Sequence, residues 1–150
     1  MNICKHFIIQ ELVPPDIYET FGEGAWIYVD QAMIKALDCT RDFFVKKYGP
    51  SATMVINNWH KGGPFSNRGY RSALSKVGSP KSQHRLTPLN AIDFNIRGVS
   101  DLQVKADIID NNEYFFNLGW RRMESYLDSP TWTHLDRKPT NLKIIKTFRA

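Results

Sequence analysis

The chain has 150 residues, 42% hydrophobic and 23% charged, the composition of a folded domain with one core, which excludes a disordered or low-complexity polypeptide. Its 20 Lys and Arg against 15 Asp and Glu leave a formal charge of +5 and a pI near 9.3. That charge suits polyanions in general but selects none, because the basic residues are scattered and no nucleic-acid recognition motif accompanies them.

No apolar run reaches the ~20 residues of a membrane span, and the start, Met1 to Phe7, lacks the apolar stretch of a secretory leader. The expectation is one domain over residues 1–150, made in the cytoplasm. Cys4 and Cys39 lie far apart without metal spacing and read as two buried thiols rather than a disulfide.

In chain order, Pro14-Pro15-Asp16 opens a short helix to Phe21 and Gly22. Asp30 reads as the N-cap of a longer one. Behind it Met33, Ile34, Leu37, Phe43, Phe44 and Tyr48 form an apolar stripe that stops at Gly49-Pro50 and belongs to the core. Residues 52–59 read as a buried strand. Residues 61–88, rich in Gly, Ser and Pro, read as a long loop, and long loops in compact domains commonly carry function.

Ala91 to Ile96 alternates, with Ile92, Phe94 and Ile96 on one face and Ala91, Asp93 and Asn95 on the other. Ser100 and Gln103 make a capping box for a helix ending near Leu118 and Gly119. Three strands follow, over 120–124, 131–136 and 142–148. Helices first, then strands around one more helix, predict an α+β fold with a small mixed or antiparallel sheet flanked by helices.

Of four histidines, two stand in suggestive settings: His84 after Ser82-Gln83, with Asp93 downstream, and His134 in Trp132-Thr133-His134-Leu135-Asp136. A catalytic zinc takes about three protein ligands and keeps one position open, and His-Asp-His meets that requirement. Asp93 lies on the polar face of its strand, and Trp132, His134 and Asp136 share a face of theirs. Two strands of one sheet can therefore offer Asp93 and His134 to one ion, with His84 supplied by the loop.

The wording around these residues resembles a known family. Tyr70-Arg71-Ser72, Ser82-Gln83-His84, Asn90-Ala91-Ile92-Asp93, Gly119-Trp120 and Trp132 to Asp136 occur in the order found in the zinc D-Ala-D-Ala carboxypeptidases. That family includes phage L-alanyl-D-glutamate endolysins and shares its fold with the hedgehog signalling domain. Asn57-Asn58-Trp59-His60, Gly62-Gly63 and Arg68-Gly69 bring the chain nearest the phage and prophage branch.

The resemblance implies zinc on His84, Asp93 and His134, and peptidoglycan stem peptides as substrate. It implies a place of action at the cell wall or in a phage particle, with no specific nucleic-acid partner. Arg71 falls where the family uses an arginine near the scissile carbonyl or a substrate carboxylate. Ser82 and Trp132 fall where side chains contact substrate; Asp136, two residues beyond His134 on the same strand face, is read apart from the resemblance as a carboxylate that orients a zinc-bound histidine. His60 is read as an outer partner of the site, a substrate contact or packing beside Trp59, since a fourth ligand would close the site.

Two features depart from the family pattern. Eight residues separate His84 from Asp93, about two more than usual. They read either as a longer loop that still returns Asp93 to the metal or as a degenerate site. The general base is also displaced, because Thr131 stands where a carboxylate is expected. Glu124 matches when counted from Gly119-Trp120, and Asp128 matches when counted back from His134. Glu124 is preferred, because a strand holds a base more rigidly than a loop tip. The rival expectation is a zinc-binding or virion-structural module of the same fold that has lost catalysis.

Overall fold

The computed structural model describes residues 4–150, so the first three residues of the stretch read for a leader lie outside it. Helix α1 (Pro15–Phe21) starts with a proline in its first turn, where the missing N–H costs nothing. Helix α2 (Gln31–Tyr48) is capped as expected: Asp30 Oδ1 accepts from Met33 N at 2.7 Å. It ends at Gly49, and Met33, Ile34, Leu37 and Phe44 are buried along one stripe.

The chain continues through β1 (Met54–Val55), β2 (Ala91–Ile96), α3 (Asp101–Asp110), α4 (Asn112–Asn117), β3 (Arg122–Glu124), β4 (Thr133–Asp136) and β5 (Lys146–Phe148). The strands form one sheet in the order β1-β2-β4-β3-β5. All neighbours are antiparallel except β5, which runs parallel to β3. The architecture is α+β with a mixed sheet.

Five elements are shorter than their sequence patterns: the strands expected over 131–136 and 142–148 pair only as Thr133–Asp136 and Lys146–Phe148, and three others stop for a visible reason. The strand expected over 52–59 pairs only at Met54 and Val55. Beyond them Asn57 N donates to Glu11 O at 3.1 Å and Trp59 Nε1 to Val13 O at 2.9 Å. Bonds to the N-terminal segment thus replace a sheet ladder.

The helix expected over 100–118 breaks at Asn111 (φ −116°, ψ 36°), whose Nδ2 donates to Asp107 O at 2.8 Å. The Asn111 backbone N–H donates to the same carbonyl at 3.0 Å, so main chain and side chain of one residue close the end of α3 together. Trp120, expected to begin a strand, instead plugs the core. It is fully buried, with Nε1 donating to Thr40 Oγ1 of α2 at 3.0 Å.

Both cysteines are free and half-buried. No described helix is long and apolar enough to cross a membrane.

Candidate metal centre and cleft

Register decides what stands beside what. β2 and β4 pair Asp93 with His134 and Ala91 with Asp136. β3 and β4 pair Arg122 with Asp136 and Met123 with Leu135. With side chains alternating along each strand, one face of the sheet carries Asp93, His134 and Glu124 in one row and Asp136 and Arg122 in the next. Ile92, Phe94, Met123 and Leu135 point the other way, into the core.

His84 arrives from outside the sheet, in a 3-10 turn at Gln83–Arg85 whose start is capped by Ser82 Oγ accepting from His84 N at 3.3 Å. Its ring is fixed from behind, with Nδ1 donating to Gly69 O at 2.8 Å. Gly69 has to be glycine: an added Cβ would lie 2.3 Å from Leu12 O, because Tyr70 N bonds that same carbonyl at 2.8 Å. The long stretch between His84 and Asp93 bows out through exposed Leu86, Thr87 and Pro88. It returns at buried Leu89, whose N–H donates to Tyr28 O at 2.7 Å. The extra residues are spent in solvent, and Asp93 still reaches the histidines.

Three donor atoms converge. His84 Nε2 lies 3.3 Å from His134 Nδ1 and 3.3 Å from Asp93 Oδ1, and His134 Nδ1 lies 2.8 Å from Asp93 Oδ1. Ligands at the ~2.0–2.1 Å of a tetrahedral zinc stand about 3.3 Å apart, so two of the three spacings match, and the third is that of a hydrogen bond. Each histidine also spends its distal nitrogen on an oxygen: His84 on the Gly69 carbonyl, and His134 Nε2 on Asp136 Oδ2 at 3.0 Å. Such outer partners orient metal-binding imidazoles and fix the tautomer. Asp136 is in turn held by Arg122, whose Nε and Nη2 donate to its two oxygens at 2.9 and 2.6 Å. Among the described residues this is the group of His, Cys, Asp and Glu side chains whose donor atoms can hold an ion.

The electrostatics fit a site built for positive charge. Burial alone would raise the Asp93 carboxyl, but the charge of His84 and hydrogen bonds from both histidines hold it below the usual carboxylate range. Burial opposes a proton on His134, yet its bonds to Asp136 and Asp93 push it up to about 9. His84 is lowered, chiefly by burial. Glu124 is raised, first by burial and further by Asp93 and Asp128, against the pull of His134.

A cleft of about 390 Å³ opens over this centre. Of the residues expected there, the lining includes all three candidate ligands, Arg71, Ser82, Trp132 and Glu124. Asp128 lies outside the lining, its Oδ2 accepting from Arg149 Nε at 2.8 Å and from Ala150 N at 2.9 Å. Arg71 is buried and committed: Nε donates to Asn67 O at 2.7 Å and Nη2 to Asp93 Oδ2 at 3.2 Å. Gly78 (φ +74°) gives it room, since a Cβ there would sit 2.6 Å from Arg71 Nη1. His60 lies in a separate cavity with His6, Glu11 and Arg41.

Several lining residues were not anticipated from sequence. Arg122 holds Asp136, and its alternation with Glu124 was the available signal. Phe148 of β5 packs edge-on against His134, with ring centroids 5.7 Å apart; nothing local announced it, because parallel pairing with β3 brings it there. Comparison of the chain with family models, curated proteins and solved structures gives no match.

Proposed function

We propose that this chain is a zinc-dependent peptidase acting on peptidoglycan stem peptides, with the zinc D-Ala-D-Ala carboxypeptidase and hedgehog-type architecture that its motifs resemble. The observation that carries the reading is the convergence of His84 Nε2, Asp93 Oδ1 and His134 Nδ1, with both distal imidazole nitrogens already satisfied, under an open cleft. The ligand set His-Asp-His leaves a coordination position free, as catalytic zinc sites do. When bound, zinc supplies a Lewis acid for the scissile carbonyl and lowers the pKa of a water it binds.

The remaining chemistry belongs to side chains of the chain. Glu124 stands beside His134 across the β3–β4 ladder and makes no hydrogen bond or ion pair among the described residues. As general base it takes a proton from the attacking water and delivers it to the leaving amine, a role its raised pKa suits. Asp128, bound to Arg149, is not free to do so. Arg71 aims Asp93 through Nη2 while Nε holds Asn67 O, and its Nη1, 3.5 Å from Ser82 Oγ in the cleft lining, is left to meet a substrate oxygen. Trp132 and Phe148 wall the cleft with apolar surface, and Ser82 offers a hydroxyl.

Zinc analysis of the purified protein, together with release of new amino termini or free D-alanine from purified peptidoglycan, tests the proposal. One zinc per chain with turnover supports it. One zinc without turnover on any stem-peptide bond leaves a zinc-binding module, and no zinc at neutral pH rejects both.

A further inference from the structure

We propose that the cavity around His60 is a second ligand site, built to take a phosphate group. It shares no lining residue with the cleft over His84, Asp93 and His134, so the site stands apart from the peptidase reading. Its volume of about 360 Å³ is that of a small-molecule site rather than a packing defect.

The walls come from stretches that only the fold brings together: the 3-10 turn ending at Glu11, α2 with Arg41, the β1 edge, the turn with His60 and Lys61, and Arg97 just past β2. Their charge is one-sided. Arg41, Lys61 and Arg97 line the cavity with two imidazoles, and Glu11 is its single acid. Glu11 is also occupied, its Oε2 accepting from Ile8 N at 2.9 Å to close its own turn.

In the cleft the arginines are neutralised by carboxylates, Arg71 by Asp93 and Arg122 by Asp136. Here no cation has a carboxylate in ion-pair range among the described residues. Arg41 Nη1 meets the imidazole of His6, 2.9 Å from Nδ1. Neither Lys61 Nζ nor the Arg97 guanidinium makes a hydrogen bond or ion pair among the described residues. Their stems are fixed at the root, with Lys61 N donating to Asn58 O and Arg97 N to Thr53 O, both at 3.0 Å.

His60 adds an independent sign. Both of its ring nitrogens are shielded from solvent, and neither has a hydrogen-bond partner among the described residues. An imidazole always carries at least one N–H, and a buried donor without an acceptor is rare in a folded protein. Trp59 packs edge-to-face against the ring, with centroids 5.9 Å apart. The cavity therefore has donors in excess and lacks an acceptor, the reverse of what a metal ion needs. A phosphate group offers several acceptor oxygens and up to two negative charges, which answers the unpaired cations and the orphaned imidazole together.

The test is calorimetric titration of the full chain with inorganic phosphate and, separately, with glycerol 3-phosphate, before and after chelator treatment. One saturable phosphate per chain is expected, unchanged by chelator because the metal centre takes no part. K61Q/R97Q should weaken it about five- to twentyfold, since an exposed charge pair contributes up to about fivefold. Both lysine and arginine are exposed, so this variant keeps the fold. H60F retains a ring against Trp59 and should weaken binding about tenfold, the loss of a hydrogen bond to a charged group. Tighter binding of the ester assigns the site to a phosphorylated organic ligand, and tighter binding of inorganic phosphate assigns it to the free ion; either supports the site.

No saturable binding, full affinity in K61Q/R97Q or in H60F, binding that vanishes with chelator, or acetate bound as tightly as phosphate overturns the inference. Turnover of stem peptides bears on none of these outcomes, so this site and the peptidase reading fail separately.

Discussion

Asp107 and Asp93 are buried carboxylates at opposite kinds of place. Asp107 sits at the α2–α3 contact, where Lys47 Nζ donates to it at 2.7 Å, Gln103 Nε2 at 2.9 Å, and Tyr48 Oη closely. Burial would raise its pKa, but those three donors hold it below the ordinary range. Asp93 is also buried and also lowered, by two imidazoles and their hydrogen bonds.

Burial and a depressed pKa therefore do not separate a working carboxylate from a structural one. The partners do. Asp107 is closed off by a lysine, a phenol and an amide that all donate to it. Asp93 faces two nitrogens that can equally well bind a cation, at the floor of a cleft, with a second carboxylate free beside them. A lysine clamp stabilises two helices, whereas a histidine pair makes a centre.

The largest expected effect breaks the centre itself. His84→Ala and His134→Ala should each lose stoichiometric zinc, read by metal analysis after dialysis against buffer, while Asp107→Asn keeps it. Full zinc in both histidine variants would dissolve the distinction between the two aspartates.

Next, Glu124→Gln should keep zinc and lower turnover by about 10²–10⁴-fold, the usual range for a general base, with Asp128→Asn close to the parent. A dead Asp128 variant beside an active Glu124 variant would move the base to the loop.

Asp136→Asn should weaken zinc affinity by about 10–100-fold, the cost of losing an oriented outer partner of a ligand histidine. Competition with a chelator reads it, and unchanged affinity would show that Asp136 serves only Arg122.

The smallest effect sharpens the other side. Asp107→Asn should cost about 1–3 kcal/mol at neutral pH through weakened charged hydrogen bonds. Because the folded pKa of Asp107 lies below its usual 3.8, the stabilisation is present above about pH 4. It is lost as the pH falls through the folded value. Urea melts of both proteins at pH 7 and pH 3 should therefore differ at the first and converge towards the second. A gap that persists at pH 3 would mean packing, not charge, is what the substitution removes.

Legibility followed locality. The cap at Asp30, the proline start of α1, the alternation of residues 91–96 and the Ser100 cap are contacts within a few residues, and each was visible in the sequence. The strand and helix limits at Asn57, Asn111 and Trp120 were not. In the first and last, hydrogen bonds to Val13, Glu11 or Thr40, dozens of positions away, take over. At Asn111 the side-chain amide and the backbone N–H both close on the Asp107 carbonyl as the backbone leaves helical geometry.

The candidate site divides the same way. Residue types and order pointed to His84, Asp93 and His134, and alternation put Asp93 and His134 on usable faces of their strands. That Asp93 stands opposite His134 is a matter of register, and register is set by which apolar faces bury together. The same register put Glu124 rather than Asp128 in the cleft.

What the sequence by itself determined is therefore the α+β class, the helix starts, and the set of side chains able to form a centre, because these follow from composition, periodicity and local hydrogen bonding. Only the tertiary structure decided which charges remain free. The resemblance put Arg71 near the scissile carbonyl or a substrate carboxylate, and only packing set its Nη2 against Asp93. Arg122 offered only its alternation with Glu124 until strand pairing set it on Asp136. Whether a charge is spent or available depends on what lies within ~4 Å of it, and that is fixed by the packing of segments distant in the chain.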